Sequence, residues 1–127
     1  MKLQMVGCSH HTASVEIRER LAFSKQQAAE ALKTFRLRYP QAEAVLLSTC
    51  NRIELYFASE TTECCPTHHD AVAFLAEFHG LGADAVFNQL FEHSGEDFVR
   101  HLFMVAASLD SMVLGEPQIL GQMKQAV

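Results

Sequence analysis

The sequence predicts an α+β domain: an antiparallel sheet of about four strands with helices packed on one face, ferredoxin-like. Three observations predict it. Residues 44–47, Ala-Val-Leu-Leu, form a short all-apolar run of the kind a central strand shows. After a tight connection, Ile53, Leu55 and Phe57 alternate with Glu54 and Tyr56, a period of two, so the pair reads as a hairpin. Around that hairpin the patterns follow in the order strand, helices, strand, strand, helix, strand, helix.

Residues 3–8 read as the first strand. Val15, Ile17 and Leu21 stand among charges after Ser14, consistent with a short helix. Ser24 is a suitable N-cap for a second helix, in which Ala28, Leu32, Phe35 and Tyr39 recur at helical spacing until Pro40 stops it. Residues 59–66 are polar and read as a loop, with Pro66 also suited to the first turn of the next helix. There Val72, Leu75 and Phe78 or His79 line one face, and Gly80 and Gly82 end the element. Phe87 to His93 reads as a strand. A last long helix begins at Ser94, with Asp97 in a capping-box-like place and Phe98, Leu102, Val105, Leu109 and Met112 as its buried stripe. Gly115 suits its C-cap and Pro117 the first turn of a further helix. That helix has no cap at Val127, so the chain end reads as a cut.

The chain has 127 residues and a mass of 14.2 kDa, room for one domain, residues 1–127, with a real core. Apolar residues at 49% against 20% charged argue against disorder. A net charge of −5 makes the chain a poor general binder of nucleic acid or acidic lipid, though a local basic patch could still meet a phosphate. Arg18, Arg20, Lys33, Arg36 and Arg38 are the candidates for such contacts, with solvated surface charge as the plainer reading. No apolar run approaches the roughly 20 residues that span a bilayer, and the N-terminus lacks a secretory stretch. A cytoplasmic location is therefore expected, with Cys8, Cys50, Cys64 and Cys65 reduced.

Ser48-Thr49-Cys50-Asn51-Arg52 is the stretch richest in chemistry. It joins two predicted strands, so its side chains sit on a short rigid turn. A thiol of ordinary pKa, about 8.5, is only a few per cent thiolate at neutral pH, and a nearby cation raises that share. Arg52 is two residues away. Its planar fork could also grip a carboxylate. The plainer alternatives are a buried structural cysteine and a surface arginine. His101 flanks the apolar stripe of the long helix, where it could shuttle a proton, and His93 is an equal candidate from spacing. Periodicity does not choose between them. Cys64-Cys65-Pro-Thr-His68-His69 has soft-metal residue types but no C-x-x-C spacing. His10-His11 beside Cys8 reads the same way. Gly115 to Gln122 matches neither G-x-G-x-x-G nor a P-loop, while Gln118 and Gln122 share one helix face.

Three segments together resemble one family. Gly7-Cys-Ser-His-His-Thr-Ala-Ser-Val with Arg18-Glu-Arg, Leu47-Ser-Thr-Cys-Asn-Arg-Ile-Glu-Leu-Tyr56, and Ala107-Ser-Leu-Asp-Ser-Met-Val-Leu-Gly-Glu-Pro-Gln-Ile-Leu-Gly-Gln122 are similar to the N-terminal catalytic domain of glutamyl-tRNA reductases. The resemblance implies reduction of the activated glutamate on tRNA(Glu) to glutamate-1-semialdehyde, at the start of tetrapyrrole synthesis. It implies Cys50 as the nucleophile that attacks the aminoacyl ester and leaves a glutamyl thioester, with NADPH the hydride donor. By the same carry-over Thr49, Asn51 and Arg52 belong to the substrate pocket, Arg52 facing the glutamate carboxylate. Ser111, Glu116, Pro117, Gln118 and Gln122 line the rest, and the activity-sensitive histidine falls at His101. The implied partners are glutamyl-tRNA(Glu), the aminomutase that takes glutamate-1-semialdehyde, and a second copy in the full-length enzyme.

The family continues into a nucleotide-binding domain and a helical dimerisation region, and this chain contains neither. It is therefore expected to be monomeric and to perform only the acyl-transfer half, without cofactor or metal. The alternative from another class is a non-catalytic α+β module that binds a small acidic ligand or, through Cys64 to His69, a metal.

Overall fold

The computed structural model describes residues 1–61 and 65–112, with side chains as far as Ala107. Strand β1 is Lys2–Ser9, followed by helices α1 (Val15–Leu21) and α2 (Lys25–Arg38). Strands β2 (Ala42–Ser48) and β3 (Arg52–Ser59) come next, then α3 (His68–Phe78) and the short α4 (Ala83–Val86). A 3₁₀ turn at Phe87–Gln89, strand β4 (Phe91–Ser94) and α5 (Gly95–Met112) complete the described chain. The four strands are antiparallel in the order β2-β3-β1-β4. That order, with helices between β1 and β2 and between β3 and β4, is the ferredoxin-like split βαβ arrangement.

Local chemistry explains the element ends. The Ser14 hydroxyl accepts from Ile17 N at the start of α1. Ser24 and Gln27 close a full capping box on α2, and Thr67 and Asp70 another on α3. Pro66 thus precedes the cap instead of entering the helix. Gly80 takes φ of +71°, the left-handed conformation that stops α3 cheaply. Ser94 is the last residue of β4, and α5 starts at Gly95, whose φ of +57° turns the chain sharply from strand to helix. The predicted strand 87–93 is real only from Phe91; its first residues form the 3₁₀ turn.

The sheet is covered on both faces, which is where the architecture departs from helices on one side. Val6, Cys8, Leu46, Ile53, Leu55 and Phe57 pack with α1, α2 and α3 through Leu21, Phe35, Val72 and Leu75. Met5, Val45, Leu47 and Tyr56 point the other way and meet Phe98, Leu102 and Val105 of α5. Successive strand residues face opposite sides, so both sets can be buried at once. The physical reason lies in α5 itself: its apolar stripe needs a partner, and the first face is already filled by three helices. This second layer puts Glu54, on the apparently polar side of β3, at 0% exposure.

Candidate active site

The β2–β3 turn carries the first part of the site. Thr49 N donates to Arg52 O at 2.8 Å, leaving Cys50 and Asn51 at the tip. The Thr49 hydroxyl accepts from both Asn51 N and Arg52 N at 3.2 Å. A side-chain oxygen thus closes the turn without any positive φ, which explains how a tip of Cys-Asn manages without glycine. Three other segments hold the turn in place. His10 N donates to Asn51 O at 2.9 Å, Phe23 N to Ser48 Oγ at 2.9 Å, and Arg18 to Cys50 O at 2.9 Å. Arg18 also donates to Ala13 O at 3.4 Å and has no carboxylate partner among the described residues. Its charge therefore stands uncompensated beside the tip.

Cys50 is exposed, whereas Cys8 and Cys65 are buried. Burial pushes the Cys8 thiol up to about 11 and also raises that of Cys65, so both stay protonated and inert at neutral pH. The Cys65 sulfur lies 3.6 Å from Gln4 Oε1 in the interior. Among the described residues no group of three or more metal-type ligands converges.

The second part of the site lies between β3 and α5. Arg52 and Glu54 extend from the same side of β3, and the Arg52 guanidinium is 3.5 Å from Glu54 Oε2 with 18% of its side chain exposed. That is neither a solvated surface arginine nor a fully committed one; most of its donors have no acceptor among the described residues. The Tyr56 hydroxyl donates to Glu54 Oε1 at 2.8 Å. His101 Nε2 lies 2.6 Å from Glu54 Oε2. Burial, and then the Glu54 carboxylate, drive the Tyr56 phenol far above its ordinary range, so it remains a donor. His93 and His101 are not rivals in space: their rings lie 4.6 Å apart, against Phe91. Burial, then the neighbouring His101, lowers the pKa of His93. His10 and His11 stack at 3.8 Å on the loop beside the tip. Partial desolvation, then His11, Arg18 and Arg52, lower the pKa of His10.

The structure thus places Thr49, Cys50, Asn51 and Arg52 in one turn and links His101 to Arg52 through the buried Glu54 carboxylate. The Ser111 side chain and Glu116, Pro117, Gln118 and Gln122 lie outside the described residues, as does Cys64. Sequence reasoning gave Glu54, Tyr56 and Gly7 no part in the site, and read Arg18 only as a candidate phosphate contact or a solvated charge. Gly7 pairs with Glu54 across the β1–β3 ladder, and a Cβ there would meet Ile53 O and stand 2.8 Å from Glu54 Cγ. A glycine inside a strand was the available signal that something packs closely on that spot.

A family model described as the N-terminal domain of glutamyl-tRNA(Glu) reductase matches residues 6–127. A glutamyl-tRNA reductase from Marinobacter nauticus is 50% identical over 126 residues, 99% of this chain and 28% of that protein. One from Rhodopirellula baltica is 47% identical over 99% of this chain and 29% of its own length. The solved structure of glutamyl-tRNA reductase from Methanopyrus kandleri is similar with a TM-score of 0.59 and 32% identity, over 98% of this chain and 27% of that one. The chain therefore spans less than a third of the length of the relatives it matches. By sequence and by fold, it belongs to the glutamyl-tRNA reductase family, in the region of that family's N-terminal domain.

Proposed function

We infer that residues 1–127 form a glutamate-recognition domain that performs acyl transfer from glutamyl-tRNA. The Cys50 thiolate attacks the carbonyl carbon of the aminoacyl ester, a C–S bond forms, the C–O bond to the terminal ribose breaks, and uncharged tRNA leaves with that oxygen. The product on the protein is a glutamyl thioester. An ester is already activated, so a positioned thiolate suffices for this step. Arg52 pairs with the side-chain carboxylate of the glutamyl group. Glutamine would leave that guanidinium unpaired, which is how a site built for a charge rejects the neutral analogue. Thr49 and Asn51 shape the turn; His101 supplies a proton-exchanging group at its edge. Ser111, Glu116, Pro117, Gln118 and Gln122 belong to the same pocket by the family resemblance.

The observation that carries this reading is the contrast among the thiols: Cys50 is exposed at a rigid tip beside Arg18 and Arg52, while Cys8 and Cys65 are sealed in the core. The family's nicotinamide cofactor does not fit the described residues. Their neighbouring strands all pair antiparallel, with no two parallel strands side by side and no glycine-rich strand-to-helix turn to cradle a pyrophosphate. The reading accordingly stops at the thioester. Reduction to glutamate-1-semialdehyde, its transfer to an aminomutase, pairing of two copies and a cytoplasmic setting are proposed for the longer family protein. Among the described residues no helix is long and apolar enough to cross a membrane.

The test is labelling with radioactive glutamate from Glu-tRNA. Cys50→Ser abolishes it, while Cys8→Ser, Cys64→Ser and Cys65→Ser retain it. Retained labelling in Cys50→Ser removes the assigned nucleophile.

A further inference from the structure

The sheet face beneath α5 holds a buried carboxylate that acyl transfer itself does not use. Glu54 has no exposed surface, and its oxygens are divided between partners: Oε1 takes the Tyr56 hydroxyl, Oε2 takes His101 Nε2 at 2.6 Å and the edge of Arg52 at 3.5 Å. A carboxylate is tolerated in such a place only when paired and hydrogen-bonded. An ionised carboxylate only accepts, so the ring nitrogen facing it must carry a proton. We propose that Glu54 is the positioning residue of this site: it fixes the neutral His101 ring as the Nε2–H tautomer, making Nδ1 the nitrogen through which His101 exchanges a proton, and it tethers Arg52 through the same oxygen.

The surroundings favour this arrangement over the alternatives. From β3, His101 faces Glu54 and Tyr56, and through Glu54 it is linked to Arg52. From β4 it faces His93 and the apolar ring of Phe91. On α5 itself Asp97 acts on His93, one turn before His101. Glu54 is therefore the one acidic group in contact with the His101 ring among the described residues. Tyr56 cannot compete for its Oε2, because the phenol is committed to Oε1. Gly7 leaves the room that lets the Glu54 side chain lie there. The result is a carboxylate–histidine pair in which the acid sets the tautomer and the orientation of the base.

The inference draws its mechanistic meaning from the acyl-transfer reading, but its first test, the tautomer of the His101 ring, needs no substrate. Long-range proton–nitrogen spectra of the ¹⁵N-labelled chain at about pH 8.5, above the ordinary histidine range, report the protonation of each ring nitrogen. The expected result is Nε2 protonated and Nδ1 bare in His101, unchanged in Tyr56→Phe and shifted to a mixture of tautomers in Glu54→Gln. The pH profile of Cys50 acylation then moves in Glu54→Gln and stays in place in Tyr56→Phe. A wild-type ring protonated at Nδ1, or at both nitrogens at that pH, overturns the proposal without any variant having to fold. So does a tautomer or pH profile indifferent to Glu54→Gln. If Cys50 fails to acylate while the tautomer is as stated, the acyl-transfer reading falls and the tautomer assignment stands.

Discussion

Gly7 and Glu54 face each other across the β1–β3 ladder, and a Cβ on Gly7 would stand 2.8 Å from Glu54 Cγ and 2.9 Å from Glu54 Cα. The backbone there cannot yield, because both strands are central in the sheet. Gly7→Ala should therefore destabilise the chain by about 1–3 kcal/mol through overpacking, or prevent folding. Denaturant unfolding measures it; a stability within about 0.5 kcal/mol of wild type would show that the ladder relaxes freely there.

Alkaline pH should weaken the fold through Cys8. Its thiol titrates at about 11 in the folded chain against 9.0 for the ordinary group, because burial disfavours the thiolate. Between those values the unfolded chain has lost its proton and the folded chain has not. The unfolded state then binds fewer protons, so stability falls as pH rises from 9 to 11 and is fully present below 9. Tyr56, also raised, pushes the same way. Unfolding curves across that range should show the decline, and Cys8→Ala should reduce its slope.

Arg18 reaches from α1 to the carbonyl of Cys50 at 2.9 Å. Arg18→Met keeps most of the aliphatic stem and removes the hydrogen bond and charge. It should cost about 0.5–1.5 kcal/mol in stability. Acylation of Cys50 should slow by on the order of ten- to a hundred-fold, because the tip is no longer held. Equal effects on folding and on acylation would show that Arg18 serves the fold alone.

Arg52→Lys replaces a fork with a point charge. Losing a charge-assisted hydrogen bond of about 1.5–3 kcal/mol predicts at least a roughly ten-fold fall in kcat/KM for acylation by Glu-tRNA. Kinetics unchanged by this substitution would count against the carboxylate role.

Much of the fold was legible because its signals are local. Ser24 as an N-cap and the helical recurrence of Ala28, Leu32, Phe35 and Tyr39 fixed α2, and the alternation from Ile53 to Phe57 fixed β3. What failed was the second face. On its own strand Glu54 reads as the solvent side of a period-two pattern, and only the apolar stripe of α5, with Phe98, Leu102 and Val105, reveals that this side is covered. Burial by a distant element leaves no mark in the pattern of the strand it buries. The same gap made His93 and His101 look like alternatives, since ring contact across β4 and α5 is tertiary. The Cys50 turn was legible because a thiol, a hydroxyl, an amide and a guanidinium fall within four consecutive residues.

Peptide mass mapping after incubation with Glu-tRNA tests the central assignment most directly. One glutamyl group should appear on the peptide carrying Cys50, be released by hydroxylamine as a thioester is, and be absent after incubation with Gln-tRNA. A glutamyl group on Cys8, Cys64 or Cys65 with Cys50 unmodified, or equal acylation by Gln-tRNA, would contradict an exposed thiol served by an arginine that recognises the substrate's carboxylate.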